Sequence, residues 1–82
     1  MYRYKFELKT AFMYNQDLKI IDGINIYEAI AEFSPRKEKT LLVWLDDFNI
    51  PSNKIDSIKD ELELWLSSKN ILVIFKAGNR MR

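Results

Sequence analysis

Two short, uninterrupted apolar runs, residues 41–45 and 71–75, constrain the fold of this chain most strongly. A run of this length that is apolar at every position is typical of a β-strand buried on both faces. The segment between the runs predicts an amphipathic helix from a cap at Ser52 or Asn53 to about Ser68. Its buried stripe consists of Ile55, Ile58, Leu62, Trp65 and Leu66. Together these three elements predict a βαβ unit with parallel strands.

The first third of the chain predicts a hairpin followed by a short helix. Residues 2–12 alternate between apolar and polar side chains, as a strand with one wet face does, and residues 18–21 can return as its partner after a turn at 14–17. The helix is predicted over residues 25–33, with Asn25 as its cap and with Ser34-Pro35 at its end. Its apolar stripe would be Ile26, Ala29, Ile30 and Phe33.

The sequence therefore predicts an α/β (α+β) fold in a single domain over residues 1–82, with the element order ββαβαβ. We expect a mixed sheet of about four strands and two helices packed on one of its faces. There is no cysteine, and the first residues contain no continuous apolar stretch of the kind that a signal peptide requires. No run is long enough to span a bilayer, so the sequence predicts no membrane association and a cytoplasmic location.

This element order resembles that of the anti-sigma-factor antagonist (STAS) domains. The similarity covers residues 22–25 leading into a helix, the strand and loop of residues 41–48, and residues 51–55 at the start of the next helix. In that family the helix start carries a regulatory serine that is phosphorylated. Asn53 stands at that position here, after Ser52, so the resemblance implies a fold and a regulatory role but no phosphoserine switch.

The inventory of side chains argues against an enzyme. Without histidine or cysteine the chain has no imidazole base, no thiol nucleophile and no ordinary zinc site, and two glycines cannot form a phosphate-binding loop. We therefore predict no catalytic residue, no cofactor and no metal. Asp46 and Asp47 are the one enzyme-like feature, because two acids after a buried strand could hold magnesium. A loop aspartate that bonds backbone amides is the alternative interpretation.

Nucleic-acid binding is a second functional hypothesis. A basic strand face and a basic tail could contact phosphates, although acids are interspersed and the formal net charge is only +1. The residues that would form this interface are Arg3, Lys5, Lys9, Lys76, Arg80 and Arg82.

The leading hypothesis is a non-catalytic protein-interaction or regulatory domain that acts by surface contact, such as a regulator, an immunity-type protein or a phage- or plasmid-borne inhibitor. Both faces of residues 41–45 and 71–75 are apolar, so two helices on one side would leave the other face uncovered. We predict that this face binds another protein or a second copy of the chain. Candidate contact residues are Trp44, Leu42 and the exposed Leu64 of the long helix.

Overall fold

The computed structural model describes residues 2–81 and contains five strands and one α-helix. The strands lie in one sheet in the order of the chain, β1 to β5. They are β1 (Lys5–Phe12), β2 (Asn15–Asp22), β3 (Asn25–Phe33), β4 (Thr40–Trp44) and β5 (Leu72–Lys76). The α-helix, α1 (Ile55–Ser67), connects β4 to β5, and short 3₁₀ turns at Leu45–Phe48 and Ser52–Lys54 precede it.

The βαβ prediction is confirmed. Strands β4 and β5 are parallel and in continuous register from Thr40 opposite Leu72 to Trp44 opposite Lys76. Helix α1 begins later than predicted, at Ile55, because Ser52–Lys54 form a 3₁₀ turn, and no side chain caps it. Asn70 ends this segment in the left-handed conformation, with φ of 62°, as its sequence position predicts.

The predicted first helix is wrong, since residues 25–33 form strand β3. β3 pairs antiparallel with the whole length of β2, from Asn15 opposite Glu32 to Asp22 opposite Asn25. The two-residue loop between them begins with Gly23 at φ of 60°, and a glycine at this position is what a type II′ hairpin turn requires. The sheet therefore has five strands instead of four, and the fold has one α-helix instead of two.

The first hairpin is present with a shifted turn. β1 and β2 pair antiparallel, and Met13 and Tyr14 form the loop between Phe12 and Asn15, whereas the sequence predicted a turn at 14–17. The register of β1 shifts between Thr10 and Phe12, which marks a bulge near the end of this strand.

The core lies between α1 and one face of the sheet. Ile58, Leu62 and Leu66 of the helix are fully buried against this inner face. The sheet contributes the buried side chains of Phe6, Leu18, Ile20, Ala31, Leu41 and Val43. Glu61 fixes the chain start to the helix, because its Oε1 accepts the backbone N–H groups of Arg3 at 2.7 Å and Tyr4 at 3.0 Å. No helix within residues 2–81 has the length and apolar character needed to cross a membrane.

Candidate functional site: the open face and free edge of the sheet

The face of the sheet turned away from α1 carries no helix among the described residues, and we call it the open face. Successive register partners, one from each strand, form a row across this face: Phe12, Asn15, Glu32, Leu42 and Ile74. The β1–β3 part of this face combines acids and lysines with Ile21, Ile26 and Ile30. The β4–β5 part is apolar except for Lys76, which lies opposite Trp44.

We call the apolar part of the open face the β5 margin, formed by Leu42, Trp44, Leu72 and Ile74. Leu42 lies opposite Ile74, and both Leu42 and Trp44 are half-buried. Leu72 is 70% exposed and Ile74 is 37% exposed. The run 71–75 was predicted to be buried on both faces. Because β5 ends the sheet and α1 covers only the inner face, its outer side chains remain in contact with water.

The three predicted contact residues do not form one surface. Leu42 and Trp44 lie on the open face, whereas Leu64 lies on the outer side of α1. Leu64 is 62% exposed, which confirms the helical phase deduced from the sequence. The sheet and its core separate the two positions, so a single flat partner cannot contact both.

The C-terminal tail crosses the open face and is held there by polar contacts. Gly78, at φ of 75°, turns the chain after β5. The Asp47 carboxylate accepts hydrogen bonds from the Asn79 side chain at 2.7 Å and from the Arg80 backbone N–H at 3.2 Å. The Arg80 guanidinium donates to Glu32 at 2.5 Å and to Asn15 at 3.1 Å. The tail therefore runs toward β3 and β2, away from the outer edge of β5.

These contacts show that Asp47 has a structural role, because it holds the C-terminal tail. Its carboxylate binds a backbone amide and a side-chain amide, which is the structural alternative to a magnesium ligand. Asp46 beside it is exposed, and both border a shallow cleft of about 380 Å³ with Asn79, Arg80 and Ile30. Within residues 2–81, no three His, Cys, Asp or Glu side chains cluster closely enough to hold a metal ion.

The basic residues of the nucleic-acid hypothesis are dispersed. Lys5 and Lys9 lie on β1 and Lys76 lies on β5, at opposite edges of the five-stranded sheet and roughly 19 Å apart at the usual strand spacing. Arg80 is paired with Glu32, and Arg3 lies 3.7 Å from Glu61. Arg82 lies outside the described residues.

Sequence reasoning missed the exposure of β5 and the role of Arg80 as a tail anchor. The edge position of β5, on which this exposure depends, is set by the strand order of the sheet. The anchor had no sequence signal, because Asn15, Glu32, Asp47 and Arg80 are distant along the chain and meet only through the strand order.

Comparison with protein families, with curated proteins and with solved structures finds no match to this chain. The similarity to STAS domains therefore stays a prediction. Of the stretches that carry it, the strand, loop and helix start within residues 41–55 are present, whereas the segment after Asn25 is a strand.

Proposed function

We propose that this chain is a small, non-catalytic protein-interaction domain and that the β5 margin is its contact surface. The observation that carries the proposal is the exposure of Leu72 and Ile74 on an edge strand, beside the half-buried Leu42 and Trp44. Exposed apolar side chains that are contiguous across two strands are typical of an interface, whereas scattered ones need no explanation. A regulator, an immunity-type protein and an inhibitor would all act in this way.

The chemistry of this surface favours a protein over a nucleic acid. Lys76 is the only charged residue in β5, and β4 contains none. Phosphate contacts require several converging cations, but Arg80 is engaged by Glu32 and the lysines of β1 lie at the far edge of the sheet. A partner that brings apolar side chains and backbone hydrogen-bonding groups fits the β5 margin better.

Site-specific photo-crosslinking in the native host tests the proposal. A photoreactive phenylalanine analogue replaces Leu72 in one variant and Leu64 in a matched control, since both leucines are well exposed but lie on different surfaces. We expect a covalent protein adduct at position 72 and none at position 64. Mass spectrometry of the adduct then shows whether the partner is another protein or a second copy.

Equal labelling at both positions, or no adduct at position 72, would contradict the proposed contact surface. A salt-dependent complex with generic RNA or DNA, in the absence of any protein adduct, would favour the nucleic-acid hypothesis instead.

A further inference from the structure

Strand β5 has a free outer edge whose backbone groups can be assigned. The backbone N–H of Leu72 donates to the carbonyl of Lys39 at 2.9 Å, so Leu72 directs its hydrogen-bonding groups toward β4. Alternate residues of a strand bond to the same neighbour, so Ile74 and Lys76 also bond toward β4. Val73 and Phe75 then direct their N–H and C=O groups outward, where the described chain has no further strand.

The two edges of the sheet differ in how they are protected. Edge strand β1 carries the exposed Lys5 and Lys9 and a bulge before Phe12, which are devices that discourage pairing with another strand. Edge strand β5 has no proline, its register against β4 is uninterrupted, and its single charge, Lys76, stands at its end. The edge at β1 is therefore protected against pairing with another strand, whereas the edge at β5 is not.

We propose that β5 pairs antiparallel with β5 of a second copy, in a register centred on Ile74, to form a symmetric dimer with one continuous sheet. This inference rests on the proposed function and names its partner. In this register each Val73 faces Phe75 of the second copy and can exchange both backbone hydrogen bonds with it. The outward groups of both residues are then satisfied, which a register centred on Val73 does not achieve, because the Ile71 N–H already donates to Leu66 at 2.9 Å.

The side chains of β5 are complementary to themselves in this register. Ile74 faces Ile74 of the second copy at a non-hydrogen-bonded position, where side chains approach most closely. Leu72 faces Lys76 of the second copy, whose aliphatic stem can cover it while the ammonium group reaches water. Because Lys76 is the only charge in the strand, no two like charges are opposed across the interface. Because a two-fold symmetric contact uses the same surface of both copies, it forms a dimer and leaves no free edge of β5 for a third copy.

The rest of the molecule leaves this edge accessible. The tail turns at Gly78 and is held over β3 and β2 by Arg80, on the side of β5 away from the free edge. Helix α1 lies over the inner face, where Lys59 contacts the ring of Phe75 at 5.2 Å. A second strand can therefore approach without displacing a described element.

Sedimentation velocity of the wild-type protein and cysteine crosslinking test the dimer together. The chain has no cysteine of its own, so the Ile74→Cys variant carries a single thiol. Under mild oxidation we expect it to form an intermolecular disulfide rapidly, because directly opposed residues of a non-hydrogen-bonded pair lie within disulfide distance. The Leu72→Cys and Leu64→Cys variants are matched controls that should link at least tenfold more slowly, since neither residue faces its own copy.

A wild-type protein that sediments as a monomer at micromolar concentration would overturn the proposal without the need for any variant. Faster linkage of Leu72→Cys than of Ile74→Cys would overturn the register. Photo-crosslinking of position 72 to a different protein by a monomeric chain would overturn this inference but leave the proposed function standing. A monomer without any adduct would remove both.

Discussion

At the scale of single residues, Glu28 on β3 is an acid of the open face whose pKa is raised above its ordinary value. Its register partner on β2 is Lys19, and Asp17 lies diagonally across the same strand pair. A side-chain hydrogen bond with Asp17 raises the pKa of Glu28, the negative charge of Asp17 raises it further, and Lys19 and Lys9 oppose both effects. The folded chain therefore retains a proton on Glu28 at pH values where the unfolded chain has lost it.

This shift predicts how stability depends on pH. Because the folded state binds more protons, the free energy of unfolding should fall as pH rises through the window just above the ordinary glutamate pKa of about 4.3. The Glu28→Gln variant removes the ionisation, so it should unfold at higher denaturant concentration than the wild type at pH 7 and at a similar concentration near pH 4. Urea unfolding at several pH values measures this difference.

Glu7 on β1 provides the matched control. Its carboxylate lies 3.8 Å from the Lys19 ammonium group, so the Glu7→Gln variant removes an attraction and should not stabilise the protein at pH 7. Equal gains in both variants would mean that net charge, and not the contact between Glu28 and Asp17, determines the effect.

At the scale of elements, helix α1 shows which part of the fold can be read from sequence. Its apolar stripe of Ile58, Leu62 and Leu66 follows the helical period, and the structure buries Leu62 while it exposes Leu64, as that period requires. We expect Leu62→Ala to lower the free energy of unfolding by about 2–5 kcal/mol through the lost burial and the remaining cavity. Leu64→Ala should change it by less than about 0.5 kcal/mol. Urea denaturation of both variants gives the two values, and a large loss at Leu64 would contradict the assigned phase.

Strand β3 shows why the rest could not be read in the same way. Residues 25–33 satisfy two periods at once: Ile26, Ala29, Ile30 and Phe33 form a helical stripe, while Tyr27, Ala29, Ala31 and Phe33 form one face of a strand. The pairing of this segment with the whole of β2 decides between the two periods, and such pairing depends on contacts with another part of the chain. The local signal was Gly23 before an alternating segment, which favours a hairpin.

The prediction of the candidate site was affected by the same wrong assignment of residues 25–33 to a helix. With residues 25–33 assigned to a helix, β5 could not be placed at the end of a five-stranded sheet, although one uncovered sheet face was predicted, with Leu42 and Trp44 on the same side of their strand. The edge character of β5 follows only from the strand order. The structure therefore shows that Leu72 and Ile74 are exposed at this edge and that Leu64 is exposed on a different surface.

At the scale of the whole molecule, the fold is a plate of 33 × 31 × 20 Å with one helix on one face of a sheet. A chain of this size buries only about 60–65% of the surface exposed by its unfolded form, so its stability as a monomer should be modest. Edge pairing would add backbone hydrogen bonds and apolar contacts that one copy alone cannot make. Association and folding should then be coupled.

Such coupling predicts a melting temperature that depends on protein concentration. Because a partner that binds only the folded state stabilises it by mass action, the wild-type midpoint should rise as the protein concentration is increased. In the Ile74→Lys variant the two-fold axis would oppose like charges, so its midpoint should be lower at high concentration and constant across the series. Ile24→Lys is the control, since Ile24 is 97% exposed at the β2–β3 turn and should retain the wild-type dependence. Thermal unfolding followed by circular dichroism over a hundredfold dilution measures all three, and parallel behaviour of the Ile74→Lys and wild-type proteins would place the contact away from β5.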